Sequence, residues 1–221
     1  MDRLYGGFVR RGDLVFDIGA HVGDRVASFR RLGARVVAVE PQPALVGVLK
    51  LFYGRSAGVA IEPVAVGRSV GTANLMINAD NPTVSTASPE FVSAARDAQG
   101  WETQRWIKSV RVAVTTLDAL IGKHGTPVFI KIDVEGFEGE ALQGLTRAVK
   151  ALSFEFTIIQ RDVALACIQR CIALGYSRFN AALGESQTLV NADWVGGEEI
   201  ARWLAGLPQA ANSGDIYAAL A

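Results

Sequence analysis

Short apolar runs alternate with amphipathic segments along most of the chain. An unbroken apolar run of about four to eight residues is typical of a buried strand, and apolar residues at helical spacing indicate a helix. The predicted strands are 14–18, 35–39, 59–66, 72–78, 110–114, 128–132 and 151–159, and the predicted helices are 24–32, 43–53, 117–121 and 138–149. This alternation predicts an α/β fold with a doubly wound, mostly parallel sheet covered by helices on both faces.

The segment 79–109 interrupts the alternation with a long polar stretch. Within it, Ser88 followed by Pro89 and an acidic residue predicts the start of a helix. A connection of this length between strands is more often functional than incidental, so we expect an insertion or lid over the carboxyl edge of the sheet. The alternative is a surface excursion whose two tryptophans, Trp101 and Trp106, simply pack down.

The C-terminal third is less regular. Cys167 and Cys171 lie one helical turn apart, and we expect both to pack on the buried face of a helix. They do not indicate a metal site, because no further ligand lies near them in the sequence. Candidate strands follow at 176–181, 187–191 and 215–220, and the whole chain, 1–221, is predicted to form one domain.

Composition narrows the classes of function. The 221 residues carry no net formal charge and half of them are apolar, which argues against a nucleic-acid binder with a basic face. No apolar run approaches the roughly 18 residues that a membrane span needs, and the N-terminus lacks the pattern of a signal peptide. With only two cysteines, the chain fits a reducing cytosol. We therefore expect a cytoplasmic protein with a small-molecule partner, and the oligomeric state stays open.

A glycine turn follows the first predicted strand and opens the first long helix, in the order Asp17, Gly19, Ala20, His21, Gly23. Such turns bind nucleotide-type ligands at the carboxyl ends of parallel strands. The third glycine of the dinucleotide fingerprint is missing, and an acidic residue precedes the first glycine. A carboxylate there suits a cationic ligand such as S-adenosylmethionine better than a pyrophosphate. His21 is expected to line the cofactor pocket, with a role as a base as the alternative.

A second acidic residue, Glu40, ends the second predicted strand. An acid at this position can accept hydrogen bonds from both hydroxyls of a ribose, which fits any adenosine cofactor. Pro41 follows and is expected to turn the chain around that sugar. Ala65 and Val66, at the end of the third predicted strand, are expected to border the adenine.

The most distinctive motif, KIDVEGFE, follows a buried strand and contains Lys131, Asp133, Glu135 and Glu138. Strand alternation puts Lys131 and Asp133 on one face of the sheet. A carboxylate at the carboxyl end of a central strand, beside the cofactor crevice, is placed to act as a base or a metal ligand. Glu138 also has a structural interpretation, because acids at a helix start stabilise the helix dipole.

The chain resembles the FkbM family of S-adenosylmethionine-dependent methyltransferases in four segments, in the family's order: VFDIGAHVGD, VVAVEPQP, VTTLDAL and IKIDVEGFEGEALQGL. The similarity runs from about Gly12 to Glu155. It implies a Rossmann-like, seven-stranded sheet whose last strand is antiparallel, with the insertion placed before the KIDVEGFE strand. It also implies O-methylation of a hydroxyl on a sugar or another natural product, with S-adenosylhomocysteine as the second product.

By residue, the resemblance implies roles at three groups of positions. It assigns cofactor binding to Asp17, Gly19, Gly23 and Glu40, a site role to Lys131, Asp133, Glu135 and Glu138, and acceptor contacts to Ser85, Thr86 and Glu155. No part of the chain beyond Gln160 contributes to the resemblance.

Asp133 is the base we predict for the acceptor hydroxyl, with Glu135 as the alternative and Lys131 holding the carboxylates or binding an acidic substrate. A divalent metal on Asp133 and Glu135 ranks second, because the sequence shows no separate third ligand. Two other classes of function remain as alternatives. One is a catalytically silent cofactor-binding protein. The other is a nicotinamide-dependent oxidoreductase, for which a tight glycine fingerprint and a hydride partner are missing.

Overall fold

A computed structural model describes residues 1–221 and contains two sheets. The strands are β1 (Leu14–Ile18), β2 (Arg35–Val39), β3 (Val59–Glu62), β4 (Ala65–Val66), β5 (Gly71–Asn78), β6 (Trp106–Thr115), β7 (Phe129–Ile132), β8 (Ala151–Thr157), β9 (Arg178–Leu183) and β10 (Ser213–Ala219). The helices are α1 (Asp2–Tyr5), α2 (Asp24–Arg31), α3 (Pro43–Tyr53), α4 (Pro89–Arg96), α5 (Leu117–His124), α6 (Glu138–Gln143), α7 (Arg161–Leu174) and α8 (Gly197–Ala205). None of them combines the length and the apolar character that crossing a bilayer would require.

The main sheet has seven strands in the order β3-β2-β1-β7-β8-β10-β9. Its first five strands are parallel, and β10 runs antiparallel to both of its neighbours. The predicted doubly wound sheet with an antiparallel last strand is therefore confirmed. The strand order reverses between β1 and β7, and in such sheets a crevice for ligands opens at the carboxyl ends of the strands on either side of that reversal.

A smaller sheet, in the order β4-β6-β5, is built from the chain between β3 and α5. The prediction of one strand over 59–66 was therefore wrong. The chain leaves the main sheet at Pro63, which cannot donate a ladder hydrogen bond, and Ala65 then pairs with Val114 of β6. The insertion at 79–109 contains a 3-10 turn, α4 and the first residues of β6.

Side chains from alternate residues of β1 enter two cores on opposite faces of the main sheet. Phe16 joins the larger core with α5 to α8, and Val15 joins the smaller core with α1 and α2. Both cysteines are buried in the larger core as predicted. Helices thus cover both faces of the sheet. Polar side chains of the strands can therefore cluster only at the strand ends.

The prediction for the second half of the chain was wrong in one helix boundary and two elements. The helix predicted over 138–149 ends at Gln143, and the following Gly144 packs against the backbone of Gly67, where an added Cβ would lie 2.4 Å from the Gly67 carbonyl oxygen. The segment 187–191 is not a strand, and α8 was not predicted. In contrast, the helix start predicted at Ser88 is confirmed, because the Ser88 side chain accepts a hydrogen bond from the first turn of α4. The side chain of Thr116 caps α5 in the same way.

Candidate active site

A cavity of about 350 Å³ opens at the carboxyl ends of β1, β2, β7 and β8. Most of the predicted site residues line it: Asp17, Gly19, Ala20, His21, Glu40, Pro41, Ala65, Val66, Ser85, Lys131, Asp133, Glu135 and Glu155. Gly23, Thr86 and Glu138 are not among its lining residues. The three separate sequence motifs thus meet in one cavity, although more than a hundred residues separate the first from the last.

Two close contacts explain the two glycines of the glycine turn, one with the end of β7 and one with α3. Gly19 has φ +81°, and a Cβ there would lie 1.7 Å from the carbonyl oxygen of Asp133. Gly23 has φ +95°, and a Cβ there would lie 2.6 Å from the ring of Tyr53, whose hydroxyl donates to the Gly23 carbonyl at 3.0 Å. Gly19 therefore brings the backbone to the cavity wall, whereas Gly23 serves the packing of α2 on α3.

Asp17 is buried at 1% exposure, and neither of its carboxylate oxygens has a hydrogen-bond partner. Burial raises the pKa of Asp17 to about 6, although Lys131 on the neighbouring strand acts to lower it. An unpartnered buried carboxyl is costly unless something else satisfies it. A ligand with a cationic or hydrogen-bond-donating group beside Asp17 would do so, which is the requirement that an ammonium or sulfonium group meets.

Glu40 is held by two backbone hydrogen bonds across the cavity floor. The amide of His21 donates to Oε2 at 3.0 Å, and the amide of Gln42 donates to Oε1 at 2.8 Å. Burial nevertheless raises the pKa of Glu40 to about 7. Each oxygen keeps a lone pair free, so the fixed carboxyl can accept one further hydrogen bond at each oxygen, as two vicinal hydroxyls would require.

Lys131, which is buried, forms an ion pair with the partly exposed Asp133 on one face of the sheet, as their alternation predicted. Burial disfavours both charges, but the contact with Lys131 outweighs it and keeps the pKa of Asp133 below its ordinary value. The same attraction raises the pKa of Lys131. Asp133 therefore stays ionised at neutral pH, and Lys131 fixes the orientation of its carboxylate.

Three carboxyls form what we call the carboxyl cluster: Asp133, Glu135 and Glu155. One oxygen from each lies within 4.8 Å of the others. Burial and the charge of Asp133 raise the pKa values of Glu135 and Glu155 well above those of ordinary glutamates. The cluster therefore places groups of unequal proton affinity side by side in the cavity that also contains Asp17 and Glu40.

Thr86 and Glu138 support the turn between β7 and α6 instead of lining the cavity. The hydroxyl of Thr86 donates to the carbonyl of Glu135 at 2.6 Å, and Oε1 of Glu138 accepts from the amide of Val134 at 2.9 Å. Burial raises the pKa of Glu138 to about 7. Glu135 itself has φ +54°, a conformation that costs a non-glycine residue energy, so these contacts hold a strained turn.

The insertion packs on this turn through α4. A Cβ at Gly136 would lie 2.7 Å from the ring of Phe91, and both Trp101 and Trp106 pack edge-on against the same ring. Trp101 also lines the cavity, whereas the indole of Trp106 donates to the carbonyl of Val84 at 2.8 Å. Ser85 lines the cavity and accepts from the amide of Asn78 at 3.2 Å.

Several lining residues were not predicted. Arg25, in the first turn of α2, donates to both carboxylate oxygens of Glu185 at 2.8 Å, and both residues line the cavity. Thr157, Asn212 and Ser213 complete the wall beside β8. The position of Arg25, just after the glycine turn, is a signal that sequence reasoning could have used. The others come from the C-terminal third, where no motif marks them.

The fold and the cavity define an α/β protein that binds a nucleoside cofactor at the switch point of its sheet. The family model described as the methyltransferase FkbM domain matches residues 17–204, and the chain belongs to this family. It is therefore a methyltransferase whose methyl donor is S-adenosylmethionine, as the resemblance predicted. None of the curated proteins compared with the chain matches it.

Several solved structures are similar to the chain at low sequence identity. Precorrin-6Y C5,15-methyltransferase from Geobacter metallireducens is 13% identical with a TM-score of 0.47, over 99% of this chain and 86% of that one. Fibrillarin from Aeropyrum pernix, solved with natively bound S-adenosylmethionine, is 8% identical with a TM-score of 0.46, over 96% and 68%. An S-adenosylmethionine-dependent O-methyltransferase from Thermotoga maritima is 10% identical with a TM-score of 0.44, over 96% and 60%.

Proposed function

We propose that this methyltransferase transfers the methyl group to a hydroxyl oxygen of a small molecule, such as a sugar or another natural product, in the cytoplasm. The observation that carries the proposal is the carboxyl cluster, which lies in the same cavity as Asp17 and Glu40. A neutral hydroxyl is a weaker nucleophile near neutral pH than a neutral amine or a thiolate, so its attack benefits from a base that accepts its proton, and carboxylates in the cavity can serve as that base.

The residues on the donor side fit S-adenosylmethionine. Asp17 is a buried carboxyl without partners, suited to a cationic group, and Glu40 is fixed with one lone pair free on each oxygen. Gly19 leaves the backbone uncovered at the cavity wall. When bound, the cofactor supplies a methyl carbon made electrophilic by its sulfonium.

The carboxyls of the cluster have different roles toward the acceptor. Asp133, held ionised by Lys131, provides a fixed negative charge, and its carboxylate can orient a hydroxyl. Asp133 is therefore the base that we propose, because it is ionised and can accept a proton, whereas burial and the charge of Asp133 raise the pKa of Glu135 and make it the alternative. General base catalysis by such a group accelerates a reaction by about 10² to 10⁴-fold.

Calorimetry with S-adenosylmethionine and with NAD tests the donor half of the proposal. We expect saturable binding of S-adenosylmethionine only, and a chain that binds NAD instead would refute the proposal. Transfer of a labelled methyl group to a panel of polyhydroxylated compounds tests the acceptor half. Labelling of amine or thiol acceptors alone would refute O-methylation, and cofactor binding without labelling of any acceptor would favour the catalytically silent alternative.

Substitution of Asp133 distinguishes an effect on cofactor binding from an effect on methyl transfer. In Asp133→Asn we expect turnover to fall by about 10²-fold or more, whereas the affinity for S-adenosylmethionine changes little. An unchanged turnover would remove Asp133 from the machinery. Glu199→Gln serves as the matched control, because Glu199 is an exposed carboxyl in the first turn of α8 and does not line the cavity.

A further inference from the structure

The three acids of the carboxyl cluster converge in the manner of a metal site. Asp133 and Glu135 follow β7, and Glu155 comes from the adjacent β8, so two elements of the sheet contribute. One oxygen from each residue lies within 4.8 Å of the others. Oxygens that share one Mg²⁺ or Ca²⁺ ion lie roughly 3 to 5 Å apart, because each is about 2.0 to 2.6 Å from the cation.

Two buried carboxyl oxygens have no hydrogen-bond partner, one in the cluster and one in the neighbouring Asp215, and the second is an observation independent of the cluster. Oε2 of Glu155 is inaccessible to solvent and makes no hydrogen bond. Asp215 lies directly opposite Glu155 in the β8–β10 register, on the same face of the sheet, and is only 7% exposed. Its Oδ1 also makes no hydrogen bond, and the negative charge of Asp133 is close enough to raise the pKa of Asp215. Buried carboxylate oxygens without a donor are costly, and a cation removes that cost.

The number of charged groups around the cluster also favours a bound cation. Beside the cluster and Asp215, the buried counter-charge is the ammonium of Lys131, which is already paired with Asp133. The guanidinium of Arg25 is engaged with Glu185 at the rim of the cavity. The cluster therefore holds more carboxyls than positive charges, and the excess must be met by protons or by a bound ion.

We propose that Asp133, Glu135 and Glu155 bind a divalent cation of the Mg²⁺ class. The donor set consists of carboxylate oxygens, which hard cations prefer, and it contains none of the sulfur or imidazole ligands that would select zinc. The sequence ranked a metal second because it showed no third ligand, and Glu155 is that ligand. A cation held there would lower the pKa of an adjacent acceptor hydroxyl, so that its proton would pass to solvent in place of a carboxylate base, and this role rests on the proposed function.

Binding of Mn²⁺ to the full chain, followed by the loss of the free-ion signal in electron paramagnetic resonance, tests the site without any assay of activity. We expect one ion per chain to bind at concentrations of up to roughly 1 mM, where even weak oxygen-ligand sites fill. Competition by Mg²⁺ should release the Mn²⁺. Absence of saturable binding would overturn the proposal and assign the excess charge to protons.

Two variants locate the ion. Glu155→Gln and Glu135→Gln should each weaken Mn²⁺ binding by at least about tenfold, whereas Glu199→Gln, which removes an exposed carboxyl of α8 outside the cavity, should not. Equal effects of all three variants would place the ion elsewhere and overturn the assignment. Calorimetry with S-adenosylmethionine in the absence of metal reports on the cofactor alone, so failure of the metal site and failure of the proposed function remain distinguishable.

Discussion

The side chain of Thr86 donates a hydrogen bond of 2.6 Å to the carbonyl oxygen of Glu135, and it links the insertion to the KIDVEGFE turn. The same hydroxyl accepts from the amide of Ser88 at 2.9 Å, so both of its hydrogen-bonding capacities are used. Thr86 is fully buried. We therefore assign it a positioning role, in place of the acceptor contact that the family resemblance implied.

Replacing Thr86 with valine should destabilise the chain and misplace Glu135. Valine keeps the shape but leaves the buried Glu135 carbonyl and Ser88 amide without their partner, which costs about 1 to 3 kcal/mol of unfolding free energy. Urea denaturation measures that loss. Thr86→Ser keeps the hydroxyl that holds Glu135 in place. If the role of Thr86 is positioning, the serine variant should therefore retain the turnover that the valine variant loses. A serine variant as impaired as the valine variant would contradict this assignment.

Gly19→Ala should unfold the glycine turn or expel it from its contact with β7. Its φ of +81° and the 1.7 Å approach of the Asp133 carbonyl to a Cβ leave no room for a methyl group. We expect a loss of about 2 kcal/mol or more in unfolding free energy and a large loss of cofactor affinity.

The matched control for this variant is Gly47→Ala in α3, where a Cβ would meet nothing within 4 Å. Alanine is favoured over glycine in a helix interior, so this variant should gain about 0.5 to 1 kcal/mol. If both alanine variants behaved alike in urea denaturation, the close approach at Gly19 would not be the cause.

Cofactor affinity should rise with pH across the range where Asp17 and Glu40 ionise. Burial raises their pKa values to about 6 and about 7, and a cationic ligand with hydroxyl donors favours their ionised forms. Binding near pH 6 therefore releases protons, and affinity should increase by about tenfold for each pKa unit that the ligand restores. Calorimetry in buffers of different ionisation enthalpy measures the released protons. Asp17→Asn should bind more weakly and release fewer of them, and proton release equal to that of the unmodified chain would exclude Asp17.

Without ligands, the chain should lose stability as the pH rises from about 4 to about 7. Asp17, Glu40, Glu138 and Asp215 have folded-state pKa values of about 6 to about 7, against 3.8 for aspartate and 4.5 for glutamate. Their folded forms retain protons that the unfolded chain releases, so this stabilisation is complete below the unfolded pKa values and is lost through the folded ones. Urea denaturation at several pH values checks the trend. Asp215→Asn should flatten it, and an unchanged slope would show that Asp215 does not titrate in this window.

The first half of the sheet could be predicted almost to the residue, because β1, β2 and α3 combine unbroken apolar runs or helical spacing with clear ends. The smaller sheet could not be predicted in the same way. Apolar residues continue through Pro63, and only the pairing of Ala65 with Val114, fifty residues along the chain, shows that the strand has changed sheets. Register between distant strands is a tertiary property that local pattern does not contain.

The missed helix α8 had a usable signal. Two glutamates follow Gly197 in the first helical turn, and Ile200 and Leu204 are spaced to lie on one buried face. Some residues of the candidate site could likewise be predicted from sequence signals, and others could not. Each motif could be found because it ends a strand, whereas Asn212 and Ser213 reach the cavity only through the antiparallel return of β10 beside β8.

The packing of Phe91 on Gly136 also sets a rule for engineering new specificities. Exchange of an active-site loop between relatives presumes that the loop can be lifted from one scaffold and placed on another. Here the segment 79–109 packs closely on the KIDVEGFE turn. Thr86 hydrogen-bonds to the turn, and the ring of Phe91 leaves no space for a side chain at Gly136. A chimera that imports only the segment or only the turn would lose this packing beside the cavity, so the two should be transplanted together.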